Sequence, residues 1–240
     1  MDKRIVVKVG SNVLTREDGK LDVTRMSAIV DQIVWLKQQG YEVILVSSGA
    51  VAAGRAEHHV EHHLDSVEQR QLFSAIGQVK LIGLYYDLFR EYKIKIGQVL
   101  TMKENFGAEE QYKNQEACME VMLENGVLPI VNENDTVCIT ELMFTDNDEL
   151  SGLIAQMMKA DTLILLTNVD GIYNGDPCEL IHASSHRYIM IATSANTYSP
   201  ARAVMAVAVW HLRQRPPRKL PMPASRSSSP MAIRQTSSST

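Results

Sequence analysis

With 240 residues, 45% hydrophobic and 22% charged, the chain has material for one large or two small domains with a substantial buried core. Its 24 lysines and arginines against 28 aspartates and glutamates give a net charge of −4, which provides no basic field for nucleic acid or anionic lipid. No apolar run is long enough to span a membrane, the charged start is unlike a secretion signal, and three cysteines without CxxC spacing argue against a disulfide framework or zinc ribbon, so the expected compartment is the cytoplasm.

The first predicted element is a short strand, Arg4–Val9, closed by Gly10-Ser11-Asn12. Asp22–Gln39 carries Val23, Met26, Ile29, Val30, Ile33, Val34 and Leu36 at mostly helical spacing, and Gly40 suits the position after a helix end. Glu42–Val46 predicts a second strand, followed by Ser47-Ser48-Gly49-Ala50. Val67–Tyr92 predicts a long helix, with Gly77 and Gly83 as its weak helix formers. Strands are expected at Ile96–Leu100, Val127–Val131 and Thr162–Leu166, separated by helices at Gln111–Glu124 and Asp148–Met158. Strands joined by helical crossovers make an α/β protein with a mostly parallel sheet and helices on both faces.

Composition then changes. No Asp or Glu follows Glu179, and from Pro216 onward the chain is dominated by proline, serine and arginine. Such a stretch has too few apolar residues to offset its ordering entropy and is expected to be disordered.

Ligands of open α/β sheets bind beyond the carboxyl ends of the strands, so the turns there hold the candidate site. Lys8 and Gly10 end the first strand: the glycine lets backbone N–H groups approach an anion and the lysine adds charge, though a lysine at a strand end is often surface decoration. Ser48-Gly49-Ala50 leads into a helix start of small residues, which fits either a ligand carboxylate on the helix N–H groups or tight packing. The polar cluster Asn132-Glu133-Asn134-Asp135-Thr136 and the stretch Asp146-Asn147-Asp148-Glu149 exceed what capping by Asp146 and Glu149 requires; these groups suit an ammonium, or the orientation of a lysine that meets phosphate. Leu166-Thr167-Asn168-Val169-Asp170-Gly171 leaves a strand into a turn that could seat a nucleotide. His58, His59, His62 and His63 form i,i+4 pairs, but a solvated loop or helix face suits them better than a metal site.

VVKVGSNVLT from Val6, EVILVSSGAVAAG from Glu42, AIGQ from Ala75, IGQVLTM from Ile96, GVLPIVNENDTV from Gly126, FTDNDELSGLIA from Phe144 and ADTLILLTNVDGIYNGDP from Ala160 together closely resemble the glutamate 5-kinases of the amino-acid kinase family. The resemblance covers about residues 3–177 and implies a three-layer αβα sandwich, here with an incomplete C-terminal part. It also implies ATP- and Mg2+-dependent phosphorylation of the L-glutamate side-chain carboxylate to L-glutamyl 5-phosphate, the first step of proline biosynthesis. Both reactants are anionic, so such catalysis rests on positioning and charge neutralisation. By position the resemblance gives Lys8 and Asp148 catalytic roles, the aspartate organising the lysine. Ser48, Gly49, Ala50, Asp135 and Asn147 match glutamate-binding positions, and Lys8, Gly10, Ser11, Thr167 and Asn168 nucleotide-binding ones. At Asn168 many relatives carry aspartate. A homo-oligomer and feedback inhibition by proline are further implications, with no nucleic-acid or membrane partner.

The family's Gly-rich GxGGMxxK segment is missing, and Ala206–Arg213 occupies its expected place. When the third base of each codon is read with the first two of the next, Met205-Ala206 forces Gly and Trp210-His211 forces Ala. The neighbouring codons permit the rest of GRGGMASK. The expectation is therefore an amino-acid kinase domain over residues 1–177 and an aberrant, frameshifted and partly disordered tail over 178–240, the shift falling near Ala183–Arg187. Two other readings fit the residues: a catalytically dead truncated chain that keeps only the glutamate half-site, and a sister kinase acting on another acid or a nucleotide monophosphate.

Overall fold

The computed structural model describes residues 4–61, 63–137 and 147–167, together with the backbone of Ile189–Met190 and Ala206–His211. The elements are β1 (Arg4–Val9), α1 (Ser11–Leu14), α2 (Val23–Gln38), β2 (Glu42–Ser47), α3 (Ala50–Glu57), α4 (Ser66–Glu91), β3 (Ile96–Thr101), α5 (Lys103–Gly107), α6 (Glu109–Glu124), β4 (Leu128–Glu133), α7 (Asn147–Met157), β5 (Thr162–Thr167), β6 (Ile189–Met190) and β7 (Ala206–His211).

β1 lies in parallel between β2 and β5, with Arg4 opposite Glu42 and Ile5 opposite Thr162. β2 pairs with β4 and β4 with β3, again in parallel, so the parallel part of the sheet runs β3-β4-β2-β1-β5. β7 continues it beyond β5 in antiparallel pairing, and β6 pairs antiparallel with β7. Alternate side chains of β1 serve opposite faces, as the two-residue period of a strand requires. Ile5, Val7 and Val9 pack with residues of α2, α3 and α4, whereas Val6 packs with Met119 and Leu123 of α6 and Leu150 and Ile154 of α7. The result is the three-layer α/β sandwich expected from the strand–helix alternation. Burial on both faces explains why β1, β2 and β4 are nearly continuous hydrophobic runs.

Helix ends follow their capping residues. Asp22 accepts from Arg25 N at 3.1 Å at the start of α2, and Gly40 takes φ +83° just beyond its end. Asp65 and Glu68 form a capping box at the start of α4. α4 itself runs unbroken through Gly77 and Gly83, as the long helical pattern predicts. Gly77 is there because α3 crosses at that point: a Cβ would collide with the Ala50 carbonyl oxygen and the Gly54 nitrogen, and Gly54 in turn abuts the backbone of Phe73. Part of the small-residue run after Ser48 thus serves helix–helix packing.

Four elements were not foreseen. α1 and α5 are too short for a helical period to register, and β6 and β7 lie in the stretch expected to be aberrant. The Pro- and Ser-rich segment from Pro216 lies outside the described residues.

At the amino-terminal edge of the sheet, Arg4 is fully engaged. Its Nε donates to Glu42 at 2.8 Å, its Nη1 and Nη2 hold both Glu120 oxygens at 2.7 and 2.8 Å, and Nη1 also reaches the Met158 carbonyl at 2.7 Å. This clamp joins β1, β2, α6 and the end of α7.

Candidate functional site

The chain runs from β1 to β2 on one side of the sheet and later places β5 on the other side of β1, so the order reverses at β1. A crevice is expected outside the carboxyl ends of the strands at such a point. A cleft of about 390 Å3 opens there, walled by the turns after β1, β2 and β4, the end of β5, and the starts of α3, α4 and α7.

Lys8 forms one wall. It follows Val7 on β1 and its side chain is largely buried, yet its Nζ reaches the cleft and lies 2.5 Å from Asp148 Oδ1 in the first turn of α7. Gly10 lies beside that Nζ: a Cβ there would be in ordinary contact with it at 3.5 Å. Gly10 N donates to Leu166 O at 3.3 Å, which ties the turn to β5.

The second wall is the turn between β2 and α3. Gly49 adopts φ +103°, a left-handed conformation that lets the chain bend sharply into α3. Ser48 N donates to Val9 O at 3.0 Å, extending the β1–β2 ladder by one residue. The first helical bond of α3 is Ala53 N to Gly49 O at 2.9 Å, so the preceding amides of Ala50, Val51 and Ala52 belong to the positively polarised helix start that lines the cleft. Behind the turn, Ser47 Oγ and the Tyr85 hydroxyl are 3.0 Å apart, and burial pushes that hydroxyl up to about 12.

Amides knit the walls together. Asn147 Nδ2 donates to Ser48 Oγ at 2.5 Å and to Asn132 Oδ1 at 3.2 Å, and Asn132 Nδ2 donates to Gln78 Oε1 at 2.9 Å. One chain of hydrogen bonds therefore fixes α4, β4, α7 and the β2–α3 turn relative to one another.

The third wall is acidic. Arg70, near the start of α4, donates through Nε to Asp135 Oδ1 at 2.7 Å and through Nη2 to Glu133 Oε2 at 3.0 Å. Burial raises the Asp135 carboxyl above its ordinary value, and the Arg70 guanidinium partly opposes that rise.

The structure brings Lys8, Gly10, Ser11, Ser48, Gly49, Ala50, Asp135, Asn147 and Thr167 to this one cleft, with Asp148 joined through Lys8. Asn168 and Asp146, the expected cap of α7, lie outside the described residues. Arg70 was not singled out from the sequence. Its signal was electrostatic: Glu133 and Asp135 beside a strand end require a nearby cation, and none stands next to them in the chain. His58, His59 and His63 line a separate pocket with Arg55 and Phe73; among the described residues no group of three His, Cys, Asp or Glu converges as a metal site would require. No described helix is long and apolar enough to cross a membrane.

The chain is 69% identical over 176 residues to glutamate 5-kinase of Bacteroides thetaiotaomicron, covering 73% of this chain and 49% of that one. It is 51% identical over 172 residues to glutamate 5-kinase of Chlorobaculum tepidum, covering 72% of this chain and 48% of that one. The chain thus spans about half the length of these relatives. A UMP kinase from Bacillus anthracis of known structure has a TM-score of 0.48 at 18% identity, over 74% of this chain and 70% of that one. The profile of the amino acid kinase family matches residues 3–204, which include every strand end that lines the cleft. The chain belongs to the amino acid kinase family.

Proposed function

We propose that this chain transfers the γ-phosphoryl group of ATP to the side-chain carboxylate of L-glutamate, the step that opens proline biosynthesis. A carboxylate oxygen attacks the γ-phosphorus, the bond to the β–γ bridging oxygen breaks, and the products are L-glutamyl 5-phosphate and ADP. Two anions must approach each other, so the protein's task is to neutralise and align. Lys8 supplies a fixed positive charge to the transferring group, and Asp148, 2.5 Å away, holds its Nζ in place. Ser48, the Gly49-Ala50 turn and Asn147 receive glutamate carboxylate oxygens, while Asp135 receives the α-ammonium. Gly10, Ser11, Thr167 and, by position in the sequence, Asn168 meet the nucleotide.

The donor set of Lys8, the Gly10 and Ser11 backbone and Thr167 suits polyphosphate. Mg2+ belongs with the nucleotide, since the described residues gather no carboxylate cluster for a free ion. It supplies further neutralisation of the phosphates when bound. Assembly into a homo-oligomer, inhibition by proline and a cytoplasmic location belong to the same proposal.

The observation that carries this reading is the shared cleft: a buried lysine oriented by an aspartate on one wall, a buried acid suited to an amine on another, and free helix amides between them. Incubation with ATP, Mg2+, L-glutamate and hydroxylamine tests it, because hydroxylamine traps acyl phosphates as hydroxamates. Hydroxamate that depends on both ATP and L-glutamate is expected. ATP-dependent product from UMP or N-acetylglutamate, with none from L-glutamate, would contradict the reading.

The same proposal keeps residues 178–240 as a frameshifted continuation of the 1–177 kinase domain. DNA sequence across codons 180–190 tests it: an intact single frame ending as this chain does contradicts the shift.

A further inference from the structure

Arg70 bridges the two acids of the third wall. Glu133 and Asp135 have side chains only 4% and 9% exposed, whereas Arg70, which bridges them, is 37% exposed and closes the wall from the solvent side. Both contacts of Arg70 with Asp135, at 2.7 Å from Nε and 2.6 Å from Nη2, fall on Oδ1.

We propose that Arg70 is a positioning residue of the amine subsite: by clamping Oδ1 it fixes Asp135 so that Oδ2 meets the α-ammonium of the amino-acid substrate. This rests on the assignment of L-glutamate to the cleft. Arg70 lines the cleft beside Asp135. It acts through Asp135, and the planar guanidinium suits two acids at once in a way a single ammonium does not.

The test compares L-glutamate with glutarate, which keeps both carboxylates and lacks the amine, by NMR titration of the full chain and its variants. The parent chain is expected to prefer L-glutamate. Arg70→Gln is expected to weaken L-glutamate by about tenfold or more and leave glutarate within about twofold, because only the amine contact depends on a fixed Asp135. Arg70→Lys, which retains one charge for the buried acids, is expected to lose only about threefold for L-glutamate and nothing for glutarate. It serves as the measurement if the glutamine variant fails to fold. Equal losses for both ligands, or a preference for L-glutamate that survives in Arg70→Gln, would overturn the role of Arg70 alone. A parent chain with no preference between the two ligands would overturn the amine subsite itself and this proposal with it.

Discussion

Strand β1 carries a cation at each end, four residues apart, and the two are treated differently. Arg4 at the amino-terminal edge spends its guanidinium on Glu42, both oxygens of Glu120 and the Met158 carbonyl. Lys8 at the carboxyl edge pairs with Asp148, and its ammonium, with three donors, borders an open cleft. A guanidinium suits a fixed junction of several elements, whereas a compact ammonium with spare donors suits a ligand that comes and goes. The sheet's amino end is thus built to hold the fold together and its carboxyl end to bind.

That contrast makes opposite demands on two variants. Lys8→Ala is expected to lower turnover by about a hundred- to a thousandfold while shifting the L-glutamate dissociation constant by no more than about twofold, since the lysine acts on the transferring phosphoryl group. Hydroxamate formation and NMR titration read the two quantities; unchanged turnover would break the comparison. Gly77→Ala is the largest stability effect outside the pairs. Its methyl meets the Ala50 carbonyl and the Gly54 nitrogen, so urea denaturation should show a loss of about 3 kcal/mol. Stability retained within about 0.5 kcal/mol would mean α3 is free to move away from α4. Arg4→Met is expected to cost about 2 kcal/mol by leaving Glu42 and Glu120 without their partner, with turnover per folded molecule unchanged.

The smallest effect is in pH. The Asp135 carboxyl titrates above its ordinary value because it is buried, with Arg70 opposing from α4 and Glu133 beside it on β4. Only the ionised acid attracts an ammonium. L-glutamate affinity therefore falls as the pH drops through that raised value, by up to about tenfold per pH unit, beginning above the usual aspartate range. Glutarate should follow only its own carboxyl titration. Parallel pH curves for the two ligands would remove Asp135 from the amine contact.

The fold was largely legible because parallel strands buried on both faces leave long apolar runs: Arg4–Val9 was located to the residue, and α2, α4 and α7 to within one residue at either end. The reason for Gly77 was not legible, because nothing in a one-dimensional pattern shows that another helix will cross there. The cleft was legible where chemistry clusters along the chain, as at Lys8–Ser11, Ser48–Ala50 and Asn132–Asp135. Arg70 was not, since it lies 63 and 65 residues from the acids it bridges. The amide chain through Gln78, Asn132, Asn147 and Ser48 was hidden for the same reason: each member is an ordinary polar residue until the fold gathers them.

A crystal structure of the chain with L-glutamate and a non-hydrolysable ATP analogue tests most directly whether opposed anions meet in this cleft. The account predicts the α-ammonium against Asp135, the side-chain carboxylate turned towards Lys8, and the γ-phosphate analogue within reach of the same lysine. Glutamate bound with its amine away from Asp135, or both ligands bound outside the strand ends of β1, β2 and β4, would contradict it.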